Sequence, residues 1–290
     1  MRKKLPMILL AAAALLFAAC AKPSGSVSVP NQSAESNATV SVTASDEVVV
    51  IRDSVLEAII REKIGKPEGD ILASDMANLY SLNINCEDTP VTQLDGLEYA
   101  VNLYDFSYRY GELKSLSPIA NCQTLFYLTV SYSTVDEATA DFNTPALERV
   151  NFIDTNISDF TFLRNAAAMT SVSFVRCDIT SIAFLANIEG LVDVDLSENN
   201  ISDISPLSGK IQMTRVGLDK NEIADLDALA SCIELNDINI SYNHVTNLEP
   251  IMQLPALNQL TAYEDLDQKI IDRTQIQTLI DRGVTVDYHE

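Results

Sequence analysis

One period runs through most of this 290-residue chain and constrains its fold more than any other feature. Segments beginning at Ser81, Leu103, Leu125, Leu147, Met169, Leu191, Met213, Leu235 and Leu257 follow one another every 22 residues, without insertion. Three residues into each stand Ile84, Phe106, Leu128, Val150, Val172, Val194, Val216, Ile238 and Leu260. Five in are Cys86, Tyr108, Val130, Phe152, Phe174, Leu196, Leu218, Ile240 and Ala262. Further columns lie ten residues in, from Val91 to Val245, and thirteen in, from Leu94 through Ala138 to Leu248. The alternation makes each segment a short strand with one face inward. No such unit can bury its apolar face alone. Stacked in register, the units share a core and a parallel sheet along one edge, which predicts an α/β solenoid.

Eight residues in, where the chain must turn, stand Asn199, Asn221 and Asn243. An Asn side chain can satisfy backbone groups of a buried turn that water does not reach. Earlier repeats carry Thr89, Gly111, Ser133, Thr155 and Cys177 there, so the ladder is thinner in the first half. The stretches LVDVDLSENNISDISPL and LNDINISYNHVTNLEPI resemble internalin-type leucine-rich repeats. That resemblance implies a curved horseshoe whose short parallel strands line the concave side, where partners commonly bind. Ahead of the repeats, Asp53 is placed to cap a helix over 54–64 that Gly65 closes. The following KPEGDI and SDMANLYSL resemble the N-terminal cap of such proteins. The expected organisation is a helical cap over 47–80, repeats over 81–265 and a closing element over 266–290. The last includes a helix over 274–282 and a strand over 284–286.

The chain begins with Arg2, Lys3 and Lys4, then an apolar stretch from Met7 to Ala19 that is short for a membrane span. Its end, Leu16-Phe17-Ala18-Ala19-Cys20, resembles a bacterial lipobox, with Phe17 where Leu is usual. The resemblance implies a lipoprotein signal peptide over 1–19 and a lipidated Cys20; an ordinary secretory signal is the alternative. Two or more acyl chains on one cysteine hold a protein on a membrane stably. The implied place is the outward side of a bacterial cell membrane, or the outer membrane of a Gram-negative cell. Residues 20–46 are rich in Ser, Val, Thr, Ala and Asn and poor in large apolar residues, so they read as a flexible tether.

The formal net charge is −22, or −25 without the three leading cations. Such acidity argues against a nucleic-acid partner. Cys86, Cys122, Cys177 and Cys232 show no CxxC spacing. The register puts Cys86 inward on a strand, Cys177 in the Asn column, and Cys122 and Cys232 in one inward column five repeats apart. At about 4.8 Å per strand that pair is beyond disulfide reach, so free buried thiols acting as small apolar residues are expected.

Catalytic constellations do not stand out. His244 follows a ladder Asn, His289 is next to the last residue, and HExxH, GxSxG, Walker and GxGxxG motifs are lacking. Asp193 and Asp195 share a strand face, about 7 Å apart and without the Gly that turns a calcium loop. Arg215 and Asp237 follow on that face, which favours alternating surface charge. No catalytic residue, metal or cofactor is expected. The first half of the concave face is more distinctive: Tyr110, Tyr127, Tyr132, Ile153 and Val175 stand at outward or strand-end positions, with Arg109, Arg149 and Arg176 nearby. Later repeats carry Asp193, Asp195, Ser197, Asp219, Asp237 and Asn239 instead. Exposed Tyr with Arg is the composition of binding hot spots. Tyr110, Tyr127, Tyr132, Arg149, Ile153 and Val175 are therefore the candidate ligand-binding residues, for a protein or a glycan, on a chain expected to act as a monomer. The competing role is an envelope scaffold without a specific foreign ligand.

Overall fold

Each repeat contributes one strand to an open parallel sheet and one return stretch behind it. A computed structural model describes residues 46–137, 141–263 and 271–288. The signal peptide, Cys20, almost all of the tether, Ala138 and His289 lie outside the described residues. The strands are β1 (Ser81–Asn85), β2 (Asp105–Arg109), a two-residue β3 (Glu112–Leu113), β4 (Tyr127–Val135), β5 (Arg149–Thr155) and β6 (Ser171–Val175). They continue as β7 (Asp193–Asp195), β8 (Arg215–Gly217), β9 (Asp237–Asn239), β10 (Gln259–Thr261) and β11 (Thr285–Asp287). Apart from β3, which pairs only with β4, they lie side by side in chain order. Short 3-10 turns such as Ser205–Leu207 and Asp227–Ser231 form the return side. A residue two positions before several of these turns caps it: Asp159, Asp203, Asp225 and Asn247 each accept from the backbone N–H two residues on.

Register is 22 residues from β2 to β10, as in Asp105↔Tyr127 and Arg215↔Asp237. It departs at both ends. Leu82 pairs with Phe106 and Ile84 with Tyr108, an offset of 24, so the first repeat is two residues longer than the rest. Its strand core is Leu79, Leu82 and Ile84, all buried. The extra residues fall in the turn between Ile84 and Val91, because Val91 and Leu94 are back in step with Leu113 and Leu116. Two expectations change with that shift. Cys86 is not an inward strand residue but lies just past β1, buried against the turn. Thr89 is exposed rather than a ladder residue. At the other end Gln259 pairs with Thr285, an offset of 26 that makes room for α3 (Arg273–Asp281) ahead of β11.

The ladder is what lets the chain turn inside the protein. Asn221 donates its amide to the carbonyls of Leu196, Leu218 and Asp219 and accepts from Ile201 N–H at 3.0 Å. Asn199 and Asn243 repeat the pattern one rung to either side. Cys177 takes the same place with a thiol, which donates to the carbonyls of Phe152 and Val175 at 3.4 Å. Its role is thus polar as well as space-filling. Ser133 donates to Ser131 O and accepts from Gly111 N–H. At the first rung the hydroxyl of Tyr108 reaches Val91 O at 2.6 Å. A Cβ on Gly111 would lie 2.2 Å from that hydroxyl and 2.9 Å from Cys86 Cβ, so only glycine fits. The four described cysteines are free and buried. Burial pushes the thiols of Cys122, to about 11, and of Cys177 and Cys232 upward, which keeps them protonated.

Where the ladder has no asparagine the core is aromatic instead. Phe152, Phe160, Phe174 and Phe184 run across neighbouring repeats, with Phe160 and Phe174 centroids 4.3 Å apart. The N-terminal end of the core is closed by α1 (Ser54–Ile64), which buries Leu56 and Ile60. Asp53 caps it through Val55 and Leu56 N–H while its second oxygen accepts from Thr92 N–H, tying cap to first repeat. At the far end α3 buries Ile276 and Leu279.

Two substitutions test this account by urea unfolding. Asn221→Ala should cost about 3 kcal/mol, since it strands several buried backbone groups at once. Thr144→Val should gain about 1 kcal/mol, because the Thr144 hydroxyl is buried without a partner.

Candidate binding face

On the open face of the sheet the side chains form columns that repeat from strand to strand. The first column is Asp105, Tyr127, Arg149, Ser171, Asp193, Arg215, Asp237 and Gln259. The third lies four residues further along the chain and holds Arg109, Ser131, Ile153 and Val175, then Ser197, Asp219 and Ser241. Just beyond it comes a row with unusual backbone. Tyr110, Tyr132, Asp154, Arg176, Glu198, Lys220 and Tyr242, one per repeat, all have φ between 52° and 60°. None is glycine, and each stands directly before the ladder residue of its turn. The left-handed conformation costs roughly 1–2 kcal/mol for such a residue. It is held by bonds to the next repeat, such as Glu198 N–H to Asp219 O and Lys220 N–H to Ser241 O, both 2.8 Å.

The candidate residues therefore fall into two groups at opposite ends of the strands. Tyr127 and Arg149 lie at the start, with the Arg149 guanidinium 5.8 Å from the Tyr127 ring centroid. Tyr110 and Tyr132 lie at the exit, where their rings stack at 5.1 Å with planes 8° apart and both are exposed. Ile153 and Val175 pair in register between these ends and are half-buried. At the strand start the sequence reading missed Tyr80, Tyr104 and Phe126, which occupy the position just before three successive strands. Tyr104 stacks on Phe126 at 5.0 Å, and Tyr127 meets both edge-on. Tyr80 was hidden by the two-residue slip, since counting in 22s starts the first segment after it. Tyr80, Ser81, Asn102, Tyr104, Asp105, Thr124 and Tyr127 line an open depression of about 560 Å³.

The charges run from a partly basic first half, with Asp105 and Asp154 against Arg109, Arg149 and Arg176, to a more acidic later half. Among the described residues of this face from β2 to β10, with Asp195 in the middle column, stand seven acids (Asp105, Asp154, Asp193, Asp195, Glu198, Asp219 and Asp237) and five bases (Arg109, Arg149, Arg176, Arg215 and Lys220). The face is thus nearly balanced on a strongly acidic chain. Half of these charges are matched sideways. Arg215 grips both oxygens of Asp193. Arg176 bridges Asp154 at 3.4 Å and Glu198 at 3.8 Å, and Lys220 joins Glu198 at 3.3 Å. Asp195 accepts from Ser197 N–H and hydroxyl and lies over Gly217, where a Cβ would come within 2.9 Å of its oxygen. Burial raises the Asp195 carboxyl above its ordinary range, with Asp219 and Asp193 adding to the effect against the Ser197 bonds. Burial raises Asp237 likewise. His244 is exposed and pairs with Glu222 of the neighbouring repeat at 2.6 Å. Among the described residues no three His, Cys, Asp or Glu converge as a metal site.

No protein-family model and no curated protein matches the chain. Solved structures do. Internalin C2 from Listeria monocytogenes shares 20% identity, with 82% of this chain aligned to 93% of that one at a TM-score of 0.61. A second internalin of the same organism shares 21% identity, covering 82% of this chain and 76% of its own at a TM-score of 0.62. The likeness shows the fold, a leucine-rich-repeat solenoid with an open parallel sheet.

Asp195 gives the face a measurable signature. Its folded carboxyl holds a proton to higher pH than the unfolded one, so its ionisation opposes folding at neutral pH, and the penalty vanishes as pH falls through the raised value. Asp195→Asn should raise the urea midpoint at about pH 7, with the gain shrinking towards about pH 4.

Proposed function

We propose that this protein is a surface-held recognition module that takes a protein partner on the concave face of its sheet. The observation that carries this is the concentration of aromatic surface on the first repeats. Tyr80, Tyr104, Tyr110 and Tyr132 are 59, 45, 48 and 38% exposed, although the core beneath them is complete. Rings that already stack on one another lose little side-chain freedom on binding, and Tyr is enriched where interfaces concentrate their energy. The later repeats suit the same role. Asp193 and Glu198 already have basic partners, so a partner covering them need not bring a base for either.

The module is held at the cell surface by lipid on Cys20, and the Ser-rich tether after it lets the repeats stand clear of the membrane. The lipobox-like ending Leu16–Cys20 supports that part of the reading.

Crosslinking on intact cells with identification of the captured species tests the recognition role. A protein should be captured, and the double substitution Tyr127→Ala and Tyr132→Ala should reduce capture by about tenfold or more while leaving the unfolding midpoint within about 1 kcal/mol of the parent. Unchanged capture moves the contact off this face, and capture of glycan alone replaces the protein partner. For the anchor, mass spectrometry of the membrane fraction should give a diacylglyceryl peptide beginning at Cys20; a free amino terminus on a released form contradicts it.

A further inference from the structure

The open depression at the strand start is bordered by the rings of Tyr80, Tyr104 and Tyr127 and by the acid Asp105. Tyr80 and Tyr104 stand on adjacent rungs, joined by Tyr104 N–H to Tyr80 O at 2.8 Å. Their rings nevertheless do not stack on one another, unlike Tyr104 with Phe126 or Tyr110 with Tyr132. Tyr104 turns one face to Phe126, and both it and Tyr80 border the depression. The aromatic column therefore has a gap between its first and second members. Thr124 contributes little polarity, because its hydroxyl is committed to the carbonyls of Val101 and Leu103. Asn102 spends its amide N–H on Ala77 O.

Asp105 is the charged group that borders the depression. It is half-buried at the start of β2 and accepts from the Ser81 hydroxyl at 3.2 Å. Among the described residues it has no basic partner, unlike Asp154, Asp193 and Glu198 on the same face. The nearest base along its column, Arg149, lies beyond Tyr127 and is engaged with Tyr127 and Glu148. A carboxylate without a cation, flanked by the negative faces of tyrosine rings, attracts a planar delocalised cation that can stack and donate at once. Guanidinium meets both demands. An ammonium lacks the plane, and a neutral sugar lacks the charge.

We propose that the slot between Tyr80 and Tyr104 receives an arginine side chain of the protein partner, sandwiched by the two rings and paired with Asp105. The inference deepens the recognition reading and rests on it for the source of the arginine. The slot itself is testable without the partner.

The probe is N-acetyl-arginine amide, compared with N-acetyl-citrulline amide, which keeps the plane and loses the charge. Binding to the full chain is followed through tyrosine ring NMR signals. Arginine amide should shift the Tyr80 and Tyr104 signals and bind at least about tenfold more tightly than citrulline amide. Asp105→Asn should erase that preference. Tyr80→Ala should weaken arginine binding several-fold, and since Tyr80 is exposed and free of ring contacts the variant should keep the parent unfolding midpoint. Equal binding of the two amides, no shift of these signals, or a disaccharide binding where the arginine amide does not would each overturn the proposal. Those results would leave partner capture through Tyr132 standing, so failure of the slot and failure of the recognition role are distinguishable.

Discussion

Everything in this molecule depends on one problem: a chain that turns back every 22 residues buries backbone groups that water cannot serve. The column through Ser133, Cys177, Asn199, Asn221 and Asn243 answers it by giving the turns side-chain donors or acceptors. Because each Asn bonds both its own turn and the preceding one, it also fixes the distance between repeats. Period, register and sheet pitch follow from that bond set more than from the apolar columns, which tolerate Leu, Ile, Val, Met or Phe alike.

The solenoid was legible in the sequence because its signal is repeated, and a repeated signal survives local exceptions. The exceptions themselves were not legible. Counting in 22s from Val91 backwards returns apolar residues at Ile84 and Cys86, so the two extra residues after β1 leave no gap in the pattern. The slip moved Cys86 onto a strand it does not occupy and dropped Tyr80 from the face. Cys177 was placed in its column by arithmetic, but its use of the amide's carbonyl partners needed the geometry. Tyr110 and Tyr132 were found as surface aromatics. That they share a left-handed backbone with Asp154, Arg176, Glu198, Lys220 and Tyr242 was beyond the sequence, since these residue types rarely take that conformation.

The net charge proved a poor guide to the face. Much of the acidity is employed elsewhere, as in Asp159, Asp203 and Asp225, which cap the return turns. Backbone donation lowers the carboxyl of Asp203 below its usual range, so that contribution to stability is lost as pH falls through its folded value. The sheet face, by contrast, ties Asp154, Asp193 and Glu198 to bases of neighbouring repeats.

The left-handed row has a consequence for how such a surface can change. Glycine would relieve its strain at every step, yet all seven places keep a side chain, and the letters read Tyr, Tyr, Asp, Arg, Glu, Lys, Tyr. The backbone holds each letter at the pitch of the sheet, and the ladder residue beside it, not the letter, closes the turn. The row is accordingly a strip of text written on a spine that does not read it. The surface can be rewritten there one residue at a time, without disturbing the coil underneath.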